Sequence, residues 1–398
     1  MPILASINEC TGCLVCVDSC PVGALEATMS DEYYLTYALD SNKCISCGCC
    51  EKSCPVVSNY SYGCNNLKLS TLYAGWTSDS NLRKKSSSGG IFAALAKTVI
   101  SVNGIAIGAS MKGYKVFHCS VAKGEDLSLL QGSKYAQSNT TGIYKVVRDH
   151  LKSGKTIVFS GLGCQVAGLL SFLGDKFDKS NLLTVDIICG GVPSYFLLEQ
   201  FAAKYFKEYL SVNSFRNKQL YEFSVCDKEG KIKVIPLKEK PLPLCGFYTE
   251  KTNRMSCYDC KFAFAHRKSD VTIGDFWGDT SFIEQHKDGI SAVVVHSKKG
   301  RDWLEKSEIE LHEGDWKTFL FHNHRMVDGK NVLGQCRERR NLSYAIKYYD
   351  YDQFLIDYAN YATWKKPYTW VLKIWRYLRM CNRPTFDKEK VISILKQK

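Results

Sequence analysis

The sequence predicts an α/β protein in which a small, cysteine-rich α+β domain precedes a larger α/β body with a largely parallel sheet and a helical C-terminal tail. A cysteine motif that occurs twice before residue 60 indicates the small domain. Between residues 155 and 201 a strand, a turn and a helix occur twice in succession, an order that is typical of a parallel sheet. The 398 residues suffice for two or three domains.

The repeated cysteine motif has the pattern C-x2-C-x2-C-x3-C-P, at residues 10–21 and 44–55. Zinc sites usually take their thiolates from two separated C-x2-C pairs, whereas three cysteines in one tight loop suit three corners of a 4Fe–4S cluster. In bacterial two-cluster ferredoxins with this spacing, the fourth cysteine of each run binds the other cluster. We therefore expect a two-cluster 4Fe–4S ferredoxin domain over residues 1–60, rather than a zinc or disulfide module. The two ligand sets are Cys10, Cys13, Cys16 and Cys54 for the first cluster, and Cys44, Cys47, Cys50 and Cys20 for the second.

The cysteine content points to metal rather than to disulfides. The chain contains nineteen cysteines, and it does not begin with a basic segment followed by an apolar one. Such a leader is expected of a secreted protein, in which cysteines pair as disulfides. In a reducing compartment, cysteines in this number usually bind metal, and we expect a cytoplasmic protein.

The body begins with a Ser/Gly-rich loop that leads into an apolar helix, KKSSSGGIFAALAKTVISVNG (84–104). Ser88 is a candidate N-cap, and Gly89 and Gly90 would let a ligand approach the backbone. A phosphate or diphosphate is the usual guest at such a helix N-terminus. The alternative is a loop that only caps the helix.

Two strand–turn–helix units, at residues 155–174 and 182–201, carry Cys164 and Cys189 in their turns. Ligands of parallel sheets bind beyond the carboxyl ends of the strands, where these two thiols would meet. The segment GLGCQVAG lacks the third glycine of a dinucleotide fingerprint, so a nicotinamide cofactor is not indicated. A C-x2-C pair follows further along the chain, and it would complete a third set of four thiolates: Cys164, Cys189, Cys257 and Cys260. A third 4Fe–4S cluster is the favoured interpretation, and buried cysteines with a small zinc knuckle are the alternative.

Residues from about 70 to 340 resemble the coenzyme F-420 hydrogenase/dehydrogenase beta-subunit family. The matching segments are KSSSGG (85–90), GSKYAQS (132–138), GLGCQVAGL (161–169), DIICGGVPS (186–194), SFRNK (214–218) and CYDCKF…RKSDVTIGDFWG (257–278). The resemblance covers about 270 residues and implies FAD, iron–sulfur clusters and electron transfer to or from an organic molecule. It also implies cluster ligation by the third cysteine set. The implied flavin-binding residues are Ser88, Gly89, Gly90, Ser133, Lys134 and the loop 267–275, which includes Asp270.

Two residues of the segment 266–275 are candidates for catalysis. Arg267 would stabilise a reduced, anionic flavin, and Asp275 lies in the same charged stretch. The alternative is a run of surface charges without a role. The family usually has histidine where this chain has Gly190, so any proton delivery by that imidazole would need another group here.

The tail is aromatic and basic: residues 361–398 hold ten Lys and Arg against two Asp and Glu, within a net charge of +13. Lys373, Arg376 and Arg379 would share one face of a helix. Such a helix can dock on protein or lie on a membrane surface as a peripheral contact.

These observations together predict a FAD-dependent iron–sulfur oxidoreductase. We expect four regions: residues 1–60, the two parts of the body at 67–150 and 151–340, and the tail at 341–398. The expected partners are a redox protein, such as a ferredoxin or a hydrogenase or dehydrogenase subunit, and a small-molecule acceptor, but no nucleic acid. One alternative is a non-catalytic electron-transfer subunit of a larger hydrogenase- or dehydrogenase-type complex. Another is a metal-binding structural protein.

Overall fold

A computed structural model describes residues 1–58, 70–206, 211–216, 223–235, 244–265, 267–278, 280–323, 325–329, 339 and 341–359. The expected linker after the ferredoxin domain and the basic face of the tail lie outside these residues. Among the described helices, none is long and apolar enough to cross a bilayer.

The N-terminal domain consists of two one-turn helices and a hairpin, which are α1 (Val15–Ser19), β1 (Leu25–Met29), β2 (Leu35–Leu39) and α2 (Cys49–Ser53). Each helix follows a residue in the left-handed region, Leu14 with φ of 56° and Gly48 with φ of 70°. The sharp turn at these positions folds the first three cysteines of each run into one loop. The two cysteine runs therefore build two similar loop–helix units, and the antiparallel hairpin packs beside them.

The body is built on a mixed sheet with eight strands among the described residues. Its strands are β3 (Thr71–Thr77), β4 (Ile105–Lys112), β5 (Lys115–Val121), β6 (Ile157–Leu162), β7 (Leu182–Ile187), β11 (Val271–Asp275), β12 (Ser291–Val295) and β13 (Ile309–Glu313). They are arranged in the order β13-β3-β12-β11-β7-β6-β4-β5. The four central strands β11, β7, β6 and β4 are mutually parallel, and the flanking pairs are antiparallel. The predicted α/β body is confirmed, with its parallel part in the centre of the sheet.

Helices cover both faces of this sheet, as a parallel core requires. The helices of the body up to the small sheet are α3 (Ser80–Lys85), α4 (Ile91–Ser101), α5 (Ile143–Lys152), α6 (Gly163–Leu173) and α7 (Phe196–Phe206). Those that follow it are α8 (Cys245–Tyr248), α9 (Lys298–Lys306), α10 (Trp316–His322) and α11 (Arg325–Asp328). Alternation along β6 shows the layering: Ile157 and Phe159 pack with α5 and α6, while Val158 packs with α4 and α9.

A second core lies beside the sheet. It joins α7 to a small antiparallel sheet, made of β8 (Ser211–Ser214), β9 (Phe223–Cys226) and β10 (Ile232–Ile235). Two further helices, α12 (Leu342–Tyr348) and α13 (Tyr351–Gln353), pack against it through Leu342 and Tyr351. The described beginning of the tail is therefore helical, as predicted, and it docks on the body.

Candidate metal centres and cofactor cavity

The first cysteine set is brought together as predicted. Burial, and then the neighbouring thiols of Cys54 and Cys10, raise the pKa of Cys13 to about 12. The pKa of Cys16 is raised chiefly by its burial, and then by the thiols of Cys13, Cys10 and Cys54. Cys54 comes from the second run, and its position beside three cysteines of the first run is the one that the predicted exchange requires. Ligation by iron would hold these thiols as thiolates in spite of their burial.

The second set lies at the surface. Its four members, Cys20, Cys44, Cys47 and Cys50, line one surface pocket. Cys47 is exposed, and Cys50 is buried against the domain core. Next to the hairpin, the wall of this pocket includes Cys20, whose sulfur accepts the backbone N–H of Ala24 at 3.2 Å. The two sets thus differ in their access to solvent.

The third set forms at the carboxyl edge of the central strands. Cys164 opens α6 after β6, and Cys189 follows β7, which is the parallel neighbour of β6. The pKa of Cys164 is raised well above its usual value by burial, and then by the thiols of Cys260, Cys13, Cys189 and Cys257 in that order. Cys257, whose pKa burial raises to about 12, also has Cys260 and Cys189 as neighbours. The two strand-end thiols and the C-x2-C pair are therefore neighbours, as the sequence predicts.

The first and third sets adjoin each other. Cys13 is among the groups that raise the pKa of Cys164. A methyl group placed on Gly168 of α6 would lie 3.4 Å from the Cys13 sulfur. The helix that carries Cys164 thus packs directly on a ligand candidate of the first set.

Each set offers the donors of a 4Fe–4S cluster, which are four thiols with backbone N–H groups directed at sulfur. Gly12 donates to Cys10 at 3.3 Å, and Gly191 donates to Cys189 at 3.3 Å. Hydrogen bonds of this kind tune the reduction potential of a cluster. Among the described residues, no group of three or more His, Cys, Asp or Glu side chains is arranged to hold a single metal ion. The donor chemistry fits clusters at all three sets.

A cavity of about 500 Å³ opens beyond the carboxyl ends of β6, β7 and β11. This is the edge at which the third cysteine set lies, and Cys189 belongs both to that set and to the lining. Five of the other sequence candidates also line it: Ser88, Gly90, Ser133, Lys134 and Asp275. The volume falls within the range of cofactor and ligand sites, roughly 300–1,000 Å³.

The Ser/Gly loop reaches the cavity, although its residues act differently from what the sequence suggests. Gly90, with φ of 82°, is the N-cap of α4, and Ser88 instead donates its hydroxyl to the carbonyl of Ile290 at 2.8 Å. A Cβ at Gly89 would lie 2.3 Å from the Gly75 carbonyl oxygen of β3. Gly89 is therefore needed for the loop to pack on the sheet and does not line the cavity.

Charged and polar groups are distributed around the wall. Burial lowers the pKa of Lys134 to about 8, and its ammonium donates to the Gln131 carbonyl at 2.7 Å. Arg216 pairs with Asp275 at 2.8 Å. Burial lowers the pKa of His118 to about 4, so this imidazole is neutral at pH 7.

Arg267 and Asp270 do not line the cavity, and this position argues against their predicted roles. Arg267 is 1% exposed and forms an ion pair with the buried Asp186 at 3.1 Å. Asp270 precedes β11 and therefore lies at the opposite end of that strand from Asp275. Its carboxylate accepts the N–H and hydroxyl of Thr184, at 2.8 and 2.9 Å. Both residues bond to groups of the sheet, and neither lines the cavity.

Arg325 is a residue that the sequence analysis missed. It opens α11, lines the cavity and is 6% exposed. Its Nη2 donates to the carbonyl of Cys257. Burial opposes its charge, but the thiols of Cys189, Cys260 and Cys257, together with the carboxylate of Glu250, outweigh burial and raise its pKa. The surrounding HNHRMVDG segment matches no motif, so no local signal marks this residue.

The N-terminal domain is hydrogen-bonded to the body near the first cysteine set. The carbonyl of Cys13 accepts the hydroxyls of Thr140 and Tyr144, both at 2.7 Å. The carboxylate of Asp18 accepts the backbone N–H groups of Gly142 at 2.6 Å and of Tyr144 at 3.0 Å. The two bonds to Asp18 cap the N-terminus of α5 with a side chain of the N-terminal domain.

Two buried arginines add to this interface. Arg254, which is 1% exposed, donates to the Cys10 carbonyl at 3.1 Å and to Gln137 at 2.8 Å. Arg339 donates to Glu32 at 2.9 Å. The domain is therefore held at several points, and the first and third sets are fixed relative to each other.

Comparisons with known proteins identify two regions of the chain. Residues 154–315 match the family model for the C terminus of the coenzyme F420 hydrogenase/dehydrogenase beta subunit, and residues 9–57 match the 4Fe-4S dicluster domain. No curated protein matches the chain. Thirteen chains of solved structures match. One belongs to the F420-reducing [NiFe] hydrogenase complex of Methanosarcina barkeri, at 17% identity and a TM-score of 0.41, over 72% of this chain and 91% of that one.

The family match spans the strand-end cysteines, the C-x2-C pair and most of the central sheet, and the dicluster match spans both cysteine runs. Residues 154–315 therefore belong to the coenzyme F420 hydrogenase/dehydrogenase beta-subunit family, and the chain is an iron–sulfur protein of the oxidoreductase type that joins this domain to an N-terminal 4Fe–4S dicluster domain.

Proposed function

We propose that the chain is a FAD-dependent oxidoreductase that passes electrons between three 4Fe–4S clusters, a flavin and an organic molecule. The position of Cys189 is the observation that carries this proposal, since it belongs to the third cysteine set and also lines the cavity. At the other end of the third set, Cys164 adjoins Cys13 of the first set. The order is thus second cluster, first cluster, third cluster, cavity. Bound FAD would exchange single electrons with the clusters and two electrons with the organic molecule.

The cavity offers suitable partners for a dinucleotide. The eleven-residue helix α4 begins at Ile91, directly after Gly90, and both residues line the cavity. Its free N–H groups and the ammonium of Lys134 would attract a diphosphate. Ser133, whose backbone N–H is bonded to Ser87 at 2.7 Å, keeps the segment before Lys134 beside the loop. On the far wall, Arg216 and Asp275 would orient the group that exchanges electrons.

We assign residues 1–60 to electron entry or exit, and residues 67–150 and 151–340 to the flavin-binding body. The tail, 341–398, would dock on protein or on a membrane surface. A cytoplasmic location is part of the proposal, because a reducing compartment keeps the cluster ligands as free thiols. The organic molecule named by the family description is coenzyme F420.

The proposal is tested by anaerobic reconstitution of the full chain, followed by iron, sulfide and flavin analysis. Three clusters correspond to about twelve irons per chain. Cys164→Ser should lose about four of them, keep the two N-terminal clusters and uncouple flavin reduction from a reduced ferredoxin. Cys226→Ser is the matched control, since this cysteine belongs to none of the three sets and should keep every iron. Zinc in place of iron, or Cys164→Ser with unchanged iron, would reject the assignment.

A second candidate function is that of an electron-transfer subunit that works only within a larger complex. The exposure of the second set supports it, because Cys47 and the adjacent Ile45, which is 62% exposed, present a cluster edge to a partner protein. Purified protein that reduces no acceptor by itself, but does so when a hydrogenase or dehydrogenase subunit is added, would favour this function over the first.

A further inference from the structure

Arg325 is a buried cation whose bonding within the protein is incomplete. Its Nη2 donates to the Cys257 carbonyl, but Nε and Nη1 have no hydrogen-bond partner among the described residues. The side chain is 6% exposed, so water does not replace the missing acceptors across most of its surface. A buried donor without an acceptor costs about 1–3 kcal/mol, and more when the donor is charged.

The surroundings of Arg325 show which acceptor is missing. Three of the four thiols of the third set, those of Cys189, Cys257 and Cys260, are close enough to influence its charge. Elsewhere in the body, the buried Arg267 has a carboxylate partner in Asp186. Glu250, a carboxylate that also lines the cavity, acts on Arg325 more weakly than these three thiols do. The nearby groups that act most strongly on Arg325 are therefore sulfur atoms, which become thiolates when they bind iron.

We propose that Arg325 is a positioning residue of the third cluster, which donates its two unpartnered N–H groups to sulfur at that cluster and raises its reduction potential. This inference rests on the third cluster of the proposed function. A 4Fe–4S cluster with four thiolates is anionic and gains one negative charge on reduction, so a fixed cation beside it favours the reduced form. N–H donors to sulfur act in the same direction, since hydrogen bonding and net charge both set cluster potentials. Arg325 also lines the cavity, so it lies where the proposed third cluster would pass electrons to a ligand bound there.

The test is a redox titration of the anaerobically reconstituted full chain, followed by electron paramagnetic resonance. Arg325→Met should keep the two N-terminal clusters at their potentials and lower the potential of the third by the equivalent of tenfold or more in the reduction equilibrium, about 59 mV for one electron. Arg325→Lys, which keeps the charge but not the fork of donors, should recover part of the shift. Lys298→Met is the control: it removes an exposed cation of α9 that pairs with Asp302 at 2.9 Å and does not line the cavity, and it should leave the third potential unchanged.

Three results would overturn the inference. They are an unchanged third potential in Arg325→Met with full iron content, identical behaviour of the Lys and Met variants of Arg325, and an equal shift in Lys298→Met. Wild-type protein with only about eight irons would instead remove the third cluster itself and with it the proposed function. Iron analysis of the wild type therefore separates the two failures.

Discussion

Asp18 provides a direct test of how firmly the cluster domain is held against the body. Its carboxylate is 4% exposed and accepts two backbone N–H groups at the start of α5, from Gly142 and Tyr144. Asp18→Ala removes both acceptors and leaves the two donors buried. We expect the domain interface to weaken, and with it the contact between Cys13 and the helix that carries Cys164.

The size of the effect follows from two opposing contributions. Hydrogen bonds to a charged group contribute about 1.5–3 kcal/mol each, so two of them amount to about 3–6 kcal/mol. Against this, burial raises the pKa of Asp18 in spite of the two N–H bonds, which shows that burying the carboxylate is costly. The alanine variant recovers that cost, and the net loss should be about 2 kcal/mol.

The assay is thermal unfolding of the reconstituted chain under anaerobic conditions, followed by cluster absorbance, together with the rate at which the third cluster is reduced. A loss of about 2 kcal/mol corresponds to a fall of several degrees in the unfolding midpoint. Asp149→Ala is the control, because Asp149 lies on α5 as well but is exposed, and its ion pair among the described residues is a surface one with Arg148. Such a pair contributes less than about 1 kcal/mol. If the two variants unfold at the same temperature and reduce the third cluster at the same rate, Asp18 does not hold the domain.

Three further predictions concern the cavity and its supporting sheet. Burial lowers the pKa of Lys134 to about 8, so its ammonium is present below that pH and lost above it. FAD affinity, measured by fluorescence, should therefore fall as the pH rises through about 8, and Lys134→Met should abolish this dependence. Gly89→Ala should lower the unfolding midpoint, since the added Cβ would lie 2.3 Å from a backbone carbonyl oxygen. Gly124→Ala is the control and should not lower it, because an added Cβ there would have no neighbour within 4 Å. Equal midpoints in the two variants would contradict the packing role of Gly89. Asp270→Asn should destabilise the protein in a denaturant titration without changing FAD affinity, because the Asp270 carboxylate is bonded to Thr184 and Ser297, forms an ion pair with Lys299 and does not line the cavity. A selective loss of FAD affinity would support the predicted binding role of Asp270.

The sequence predicts those parts of the site whose spacing is local. Cluster ligands must follow one another at short, fixed intervals, so the two cysteine runs predict both a cluster cofactor and an exchange of Cys20 and Cys54 between the clusters. The carboxyl ends of neighbouring parallel strands must share an edge, so Cys164 and Cys189 are predicted to meet. Both arguments use only the spacing of residues along the chain and the direction of the predicted strands.

The parts that the sequence does not reveal depend on contacts between distant segments. Gly89 looks like a ligand-approach glycine, but its neighbour is Gly75 of an adjacent strand. The charged segment around Arg267 leads into β11. Only the fold shows that Asp270 precedes this strand and that Asp275 ends it, so the two carboxylates lie at opposite ends. Arg325 comes from a short helix after β13, and no periodicity connects it with cysteines more than sixty residues earlier.

The unequal exposure of the cysteine sets has a consequence for handling in air. The second set lines a surface pocket and includes the exposed Cys47, whereas Cys13 and Cys16 of the first set are buried. Oxidants reach exposed sulfur first, and susceptibility to oxidation follows access. If the chain holds the three proposed clusters, brief exposure to oxygen should therefore damage the second cluster before the other two. The protein would then lose electron transfer to external partners while the proposed path from the first cluster to the cavity is still intact.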